Sequence, residues 1–345
     1  MCMSPMKIYW DKLEHKYKFN AKDPDLYHYA IVPCGKCPEC RSKWRTQLVQ
    51  RVRYELTKYG DNVCFLTLTA NDDCIDEVFP GGELNHRAWQ LFIKRLRRHL
   101  EYRGFTGKIK YLVNGEYGHD GGRPHFHAII FGWKPDDLKL FGRTQKGFKN
   151  FKSEMLQKLW KKVGATKEEI DAFNNNPKYK KIIEQHGGKF DYLPLGFVDV
   201  GEVEPRTAGY MVKYICKFSE VKSDDFIVNG KKVKKPYLVY PKKILGIDHF
   251  IENYEQILTN GFIYDDKGRK TGIPRSFLKY AENSDDIKMN ELFLLYKERV
   301  QEAVDESNRK IMLEQGLHFT EVYDYVCELG RVRREMYNAL KNKNR

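Results

Sequence analysis

The sequence predicts an α+β protein: a central antiparallel sheet flanked by helices, with a Cys-rich N-terminal segment and a C-terminal extension of hairpins and helices. Two observations carry the prediction. Residues 108–118 (KIKYLVNGEYG) and 124–132 (PHFHAIIFG) are aromatic and β-branched runs joined by a glycine-containing turn, which reads as an antiparallel hairpin. Residues 39–58 and the segment after Asn85 carry apolar residues at helical spacing. A chain of 345 residues, 41% hydrophobic and 14% aromatic, is long and apolar enough to bury a substantial core.

In chain order, the first helix (39–58) follows from Trp44, Leu48, Val52 and Leu56, which recur every four residues among arginines. NVCFLTLTA (62–70) is a strand ending in the polar turn Asn71–Asp72–Asp73. Asn85 caps a second helix with Trp89, Phe92, Ile93, Leu96 and Leu100 on one face and Lys94, Arg95, Arg97 and Arg98 on the other. Pro124 suits the first residue of the HFH strand, where its missing N–H costs no ladder bond. Residues 135–195 hold one clear helix (Leu156, Leu159, Trp160, Val163) and long polar runs, and are expected to be an insertion or lid. GFVDVGEV (196–203) returns to strand, and Pro205 starts the helix RTAGYMVKYICKF. From about 221 Lys-rich hairpins are expected, with turns at Asn229–Gly230, Asn260–Gly261 and Lys267–Gly268, before two or three polar helices. The expected domains are 1–60, 61–220 with its insertion, and 221–345. No repeat of solenoid length is present.

Charge points to a polyanion. Lys and Arg number 61 against 47 Asp and Glu, a net +14, and neutralised phosphates release counterions. NGKKVKKPYLVYPKK (229–243) concentrates Lys231, Lys232, Lys234, Lys235, Lys242 and Lys243 beside Tyr237 and Tyr240, a mixture suited to single strands; its bland reading is a solvated hairpin. No apolar stretch approaches a membrane span and the N-terminus has no signal-like apolar core, so a soluble, unsecreted protein is expected. Eight cysteines in such a chain do not suggest a disulfide framework. Cys34, Cys37 and Cys40 form CGKCPEC, two CxxC steps sharing a cysteine, and a structural zinc would need a fourth ligand: Cys2 first, His28 second. Redox or plain reduced thiols are the alternatives. Cys64, Cys74, Cys216 and Cys327 are scattered and read as ordinary buried side chains.

Two constellations carry chemistry. His125 and His127 alternate on a strand and share one face, so they can share one divalent ion, although an isolated HxH is more often a hydrogen-bonded pair. Glu116, on the partner strand, is the preferred third ligand over His119, and a carboxylate favours Mg²⁺ or Mn²⁺. On the helix after Pro205, Tyr210, Lys213, Tyr214 and Lys217 stand at i, i+3, i+4 and i+7. Structural tyrosines and solvated lysines are the bland reading there. A tyrosine oxygen beside lysines and a divalent ion can instead attack a phosphodiester, displace the 3′-hydroxyl and remain as a 5′-phosphotyrosyl bond.

FLTLTA (65–70), GRPHFHAIIFG (122–132) and YMVKYICK (210–217), in that order, resemble the three motifs of HUH-superfamily rolling-circle replication initiators, with the aromatic Phe126 between the histidines. PCGKCPEC with its Arg-rich helix, and NGFIYDDKGRKTGIPRSF (260–277), resemble replication initiation proteins of microviruses, especially gokushoviruses. The resemblance spans about residues 30–280. It implies a five-stranded antiparallel, RRM-like palm holding the metal on its face, and an endonuclease and strand transferase that nicks origin DNA. It also implies that Tyr210 and Tyr214 are paired nucleophiles, that Thr67 and Thr69 support the site or touch DNA, and that the protein works in the host bacterial cytoplasm with a host helicase and DNA polymerase. Three other readings are open: a related relaxase or transposase, a two-histidine, one-carboxylate iron oxygenase, and a non-catalytic single-strand-binding protein. The oxygenase has no need of the tyrosine–lysine helix, and the binding protein no need of either motif.

Overall fold

Period-2 alternation sets the main sheet. A computed structural model describes the chain except for residues 1, 15, 119–121, 144–146, 204–211, 213–225, 266 and 344–345. The described elements are β1 (Met6–Asp11), β2 (Lys16–Lys18), β3 (Pro24–Val32), α1 (Pro38–Tyr59), β4 (Val63–Thr69), α2 (Ile75–Val78), α3 (His86–Tyr102), β5 (Lys110–Tyr117), β6 (Pro124–Phe131), β7 (Lys139–Arg143), β8 (Lys149–Lys152), α4 (Glu154–Leu159), α5 (Lys167–Asn175), α6 (Lys180–His186), β9 (Val198–Gly201), β10 (Phe226–Val228), β11 (Lys231–Val233), β12 (Tyr237–Val239), α7 (Ile247–Asn260), β13 (Ile263–Tyr264), β14 (Lys270–Thr271), α8 (Arg275–Glu282), α9 (Ile287–Gln315) and α10 (Val322–Lys343). They form two compact units, Arg51–His249 and Met1–Gln50 with Phe250–Arg345.

In the first unit seven strands pair antiparallel in the order β12-β5-β6-β4-β9-β8-β7. The resemblance implied five; β7 and β12 are the outermost of the seven. On one face Leu66, Leu68, Phe126, Ala128, Ile130, Val198 and Val200 are buried against α3. That helix starts at the Asn85 cap, whose side chain accepts from the Arg87 N–H, and buries Trp89, Phe92, Ile93, Leu96 and Leu100. Trp89 lies 6.1 Å from Phe126 and Phe92 meets Trp160 edge-on at 5.8 Å. The segment expected as an insertion or lid is part of this body: β7 and β8 extend the sheet, and Leu156, Trp160, Phe173, Tyr179, Ile183 and Phe190 join the same core. Its polar surface runs hid apolar residues that bury only through tertiary contact.

Gly196 marks the closest approach of two backbones. A Cβ there would lie 1.9 Å from the Thr69 carbonyl oxygen, which already accepts from the Trp160 indole N–H at 2.8 Å. Gly196→Ala must therefore part the chain from β4, and we expect it to lower unfolding stability by about 3 kcal/mol. An unchanged denaturation midpoint would show that the backbone relaxes freely here.

In the second unit β2-β1-β3 form a small sheet, accompanied by the β13–β14 hairpin and helices α8, α9 and α10. The Asn229–Gly230 and Lys267–Gly268 turns close hairpins, β10–β11 and β13–β14. Asn260–Gly261 does not. It ends α7, with Gly261 at φ 76° donating to the Ile257 carbonyl, because glycine just after a helix serves as a left-handed stop as readily as it serves a hairpin. The second-choice zinc ligand, His28, is instead engaged by the Tyr17 hydroxyl at 2.7 Å and stacked on Trp10 at 5.5 Å.

Candidate metal centre and nucleic-acid groove

The hairpin register builds the centre. In β5–β6, Glu116 lies opposite His125 and Asn114 opposite His127; in β4–β6, Thr69 lies opposite His125 and Thr67 opposite His127. Directly paired residues share a face, so these six side chains form a polar patch on the side of the sheet away from α3. Its middle is a cluster of three ligand atoms. Glu116 Oε1 lies 3.1 Å from His125 Nε2 and 3.4 Å from His127 Nε2, and the two Nε2 atoms are 3.2 Å apart. The three side chains are only 3%, 14% and 11% exposed.

A second layer fixes each ligand. The His125 Nδ1 contacts the Arg123 carbonyl at 3.0 Å, and since that oxygen can only accept, Nδ1 carries the proton. In the neutral ring Nε2 is then a lone pair aimed at a carboxylate and a second imidazole, an arrangement that a cation relieves. Thr67 Oγ1 holds His127 Nδ1 at 2.9 Å, and Phe65 stacks on the same ring at 5.5 Å. The Asn114 amide donates to Glu116 Oε2 at 3.1 Å. Burial alone would raise the Glu116 carboxyl, but hydrogen bonds and charge from His125 and His127 hold it far below the ordinary carboxylate range. Sequence reasoning did not single out Asn114, although its position two residues before Glu116 on a strand put it on the same face.

Beside this patch lies a groove of about 610 Å³, whose lining includes Thr69, Phe141, Lys152, Phe197 and Asp199. Asp199 pairs in register with Thr67, so groove and centre adjoin on one face. Lys152 Nζ lies 4.8 Å from the Phe141 ring and 6.0 Å from that of Phe197, and binds Asp199 Oδ1 at 2.5 Å. Aromatic faces beside a cation are what an unstacked nucleobase and its phosphate require. Here again the residues come from the stretch expected to be a lid.

Of the other anticipated residues, Thr69 does not touch the histidines: its hydroxyl bonds the Phe197 backbone, at 3.4 Å to the oxygen and 3.3 Å from the nitrogen. Lys231, Lys232, Lys234 and Lys235 are exposed; Lys231 donates to the Gly81 carbonyl at 2.8 Å and Lys234 lies 3.6 Å from Glu83. Tyr237, expected to present a stacking face to DNA, lies on the core side of the sheet. Its ring packs where a Cβ on Gly115 would come within 2.9 Å, meets His86 edge-on at 5.4 Å, and its phenol is pushed well up by burial. Tyr210, Lys213, Tyr214 and Lys217 lie outside the described residues. No helix among the described residues is long and apolar enough to cross a membrane.

Comparison with known proteins gives this geometry a family. Residues 63–219, which contain every member of the centre, match the family model of the replication-associated protein ORF2. The replication-associated protein ORF4 of Chlamydia phage 1 is 28% identical over 270 residues, which cover 74% of this chain and 56% of the relative, so the match spans little more than half of that protein's length. The replication-associated protein VP4 of Bdellovibrio phage phiMH2K is 26% identical over 328 residues, covering 92% and 89% of the two chains. The replication-associated protein ORF2 of Spiroplasma virus 4 is 26% identical over 365 aligned positions, covering 100% and 97%. No solved structure matches. With its paired histidines and carboxylate inside the matched region, the chain belongs to the replication-associated protein family of microvirus-type phages.

Proposed function

We propose that this protein initiates rolling-circle replication as a divalent-metal-dependent, sequence-specific single-strand DNA endonuclease and strand transferase, acting in the host bacterial cytoplasm alongside a host helicase and polymerase. The observation that supports it most is the convergence of Glu116 Oε1, His125 Nε2 and His127 Nε2 within 3.4 Å on a sheet face that adjoins an aromatic, lysine-bearing groove. The donor set fits Mg²⁺ or Mn²⁺: one carboxylate and two imidazoles whose Nε2 atoms point inward, with room for oxygens of a phosphate. When bound, such an ion supplies Lewis-acid polarisation of the scissile phosphate.

The protein's own groups do the rest. Arg123, Thr67 and Asn114 hold the three ligands in one orientation, so no reorganisation is needed when DNA arrives. Phe141 and Phe197 offer stacking faces, and Lys152 a phosphate partner, for the strand beside the cut. The phenol oxygen of Tyr210 or Tyr214 forms the new bond to phosphorus, the 3′ oxygen leaves and takes up a proton as the phenol gives one to solvent, and a 5′-phosphotyrosine results. A later 3′-hydroxyl attacks that phosphotyrosine, restores the phosphodiester and frees the tyrosine. Lys213 and Lys217, one helical turn from the tyrosines, offset charge at the phosphate. Phosphotyrosyl exchange conserves the energy of the broken bond, which suits a reaction that must close a circle.

The deciding experiment incubates the full chain with single-stranded DNA containing its own origin, with Mn²⁺ or with EDTA, and resolves the products on denaturing protein gels. A covalent adduct that requires the metal is the expected result. Tight DNA binding with no adduct under any divalent ion would leave a binding protein.

A further inference from the structure

We propose that Cys2, Cys34, Cys37 and Cys40 bind one zinc ion, and that this ion fastens the N-terminal segment as the seat of the C-terminal helix α10. The four Sγ atoms lie within 4.8 Å of one another. Cys2 Sγ is 3.7 Å from Cys37 Sγ and 3.6 Å from Cys40 Sγ. A tetrahedral site with Zn–S of about 2.3 Å has sulfur–sulfur edges of about 3.8 Å, whereas a disulfide would need about 2.0 Å. All four thiols are free.

Simple apolar packing of thiols would not need donors, yet backbone N–H groups point at these sulfurs. Those of Met3 and Ser4 reach Cys37 and Cys2 at 3.5 and 3.4 Å, and that of Cys34 reaches Cys2 at 3.3 Å. Those of Lys36 and Cys37 reach Cys34 at 3.4 and 3.3 Å. Five donors suit thiolate charge. Cys37 also directly precedes α1 and Cys40 lies in its first turn, where the helix dipole favours anions. On binding, the four thiols release four protons and Zn²⁺ takes four sulfur lone pairs, with no change of oxidation state.

The consequence reaches the other end of the chain. Arg334 of α10 donates to the Met3 carbonyl at 2.8 Å, and Tyr323 donates to that of Pro5 at 3.4 Å. Gly330 sits so close that a Cβ would meet Met3 O at 3.0 Å and Cys2 O at 3.2 Å. Lys7 Nζ lies 4.5 Å from the rings of both Tyr29 and Tyr323. The backbone carbonyls that receive α10 thus belong to the residues the zinc would fix.

The test uses the purified full chain. Elemental analysis should find one zinc that survives dialysis in Mg²⁺ buffer, is lost in Cys37→Ser, and is kept in His127→Ala. If Cys37→Ser does not fold, the wild type decides: Co²⁺ exchanged into it should give a thiolate charge-transfer band, and four thiols should resist a thiol reagent until a chelator is added. Hydrogen exchange over 322–343 should rise at least tenfold on chelation. Absence of retained zinc, loss with His127→Ala instead of Cys37→Ser, or a cobalt spectrum without the thiolate band would overturn the site. Unchanged exchange in α10 after zinc loss would overturn its role as a seat.

Discussion

Replacing His127 with alanine is expected to lower metal-dependent cleavage of origin DNA by about 10³-fold, the scale of losing a properly held Lewis acid and the charge stabilisation it brings. The imidazole is one of three ligand atoms within 3.4 Å, so its loss leaves two donors and opens the centre to water. Alanine also leaves a gap beside Phe65, which stacks on this ring, and the loss could be blamed on packing. Glu116→Gln removes that ambiguity. It keeps the volume of a residue only 2% exposed and removes only the charge, so cleavage should fall comparably while the denaturation midpoint moves little. Thr67→Val should be milder: the ligand stays but loses the contact that orients its Nδ1, and the Mn²⁺ concentration for half-maximal cleavage should rise about 10- to 100-fold. A Glu116→Gln protein that cleaves normally would remove the metal reading.

Much of this centre was legible because it rests on the shortest-range rules of sheet structure. Alternation put His125 and His127 on one face, and the short turn after Tyr117 allowed only an antiparallel return that brought Glu116 opposite His125. The cap at Asn85 and the stripe from Trp89 to Leu100 were equally local. Tyr237 was misread because its face is set by pairing with Gly115 across more than a hundred residues, a partner that no spacing within the Lys-rich segment reveals. Helix α7 was missed for a related reason: its capping Gly261 carries the same signal as a hairpin turn, and only packing distinguishes them. The groove was invisible because Phe141, Lys152 and Phe197 lie in segments whose pairing order, β9-β8-β7, runs against the chain. Local rules therefore reached the metal ligands, while the surface that would hold the strand emerged only with topology.

The double substitution Tyr210→Phe, Tyr214→Phe is expected to abolish the covalent protein–DNA adduct and to lower cleavage at least ~10⁴-fold, because a removed nucleophile has no substitute among the groups that merely bind and orient. Phenylalanine keeps the ring and the helical preference and deletes two oxygens, so DNA binding should persist. The single variants separate the roles. Four residues apart on a helix, the two phenols stand on one face and can reach the same phosphate in turn. Either single variant should then still form an adduct at its remaining tyrosine, yet neither should release closed circles from a replicating template, since termination needs a second attack while the first strand end is still held. If one single variant behaved as wild type in circle closure, a lone nucleophile would suffice and water or a 3′-hydroxyl would have to resolve every intermediate. If the double variant still formed the adduct, its phosphate would have to be linked to a residue outside this helix, and mapping the linked peptide would identify it.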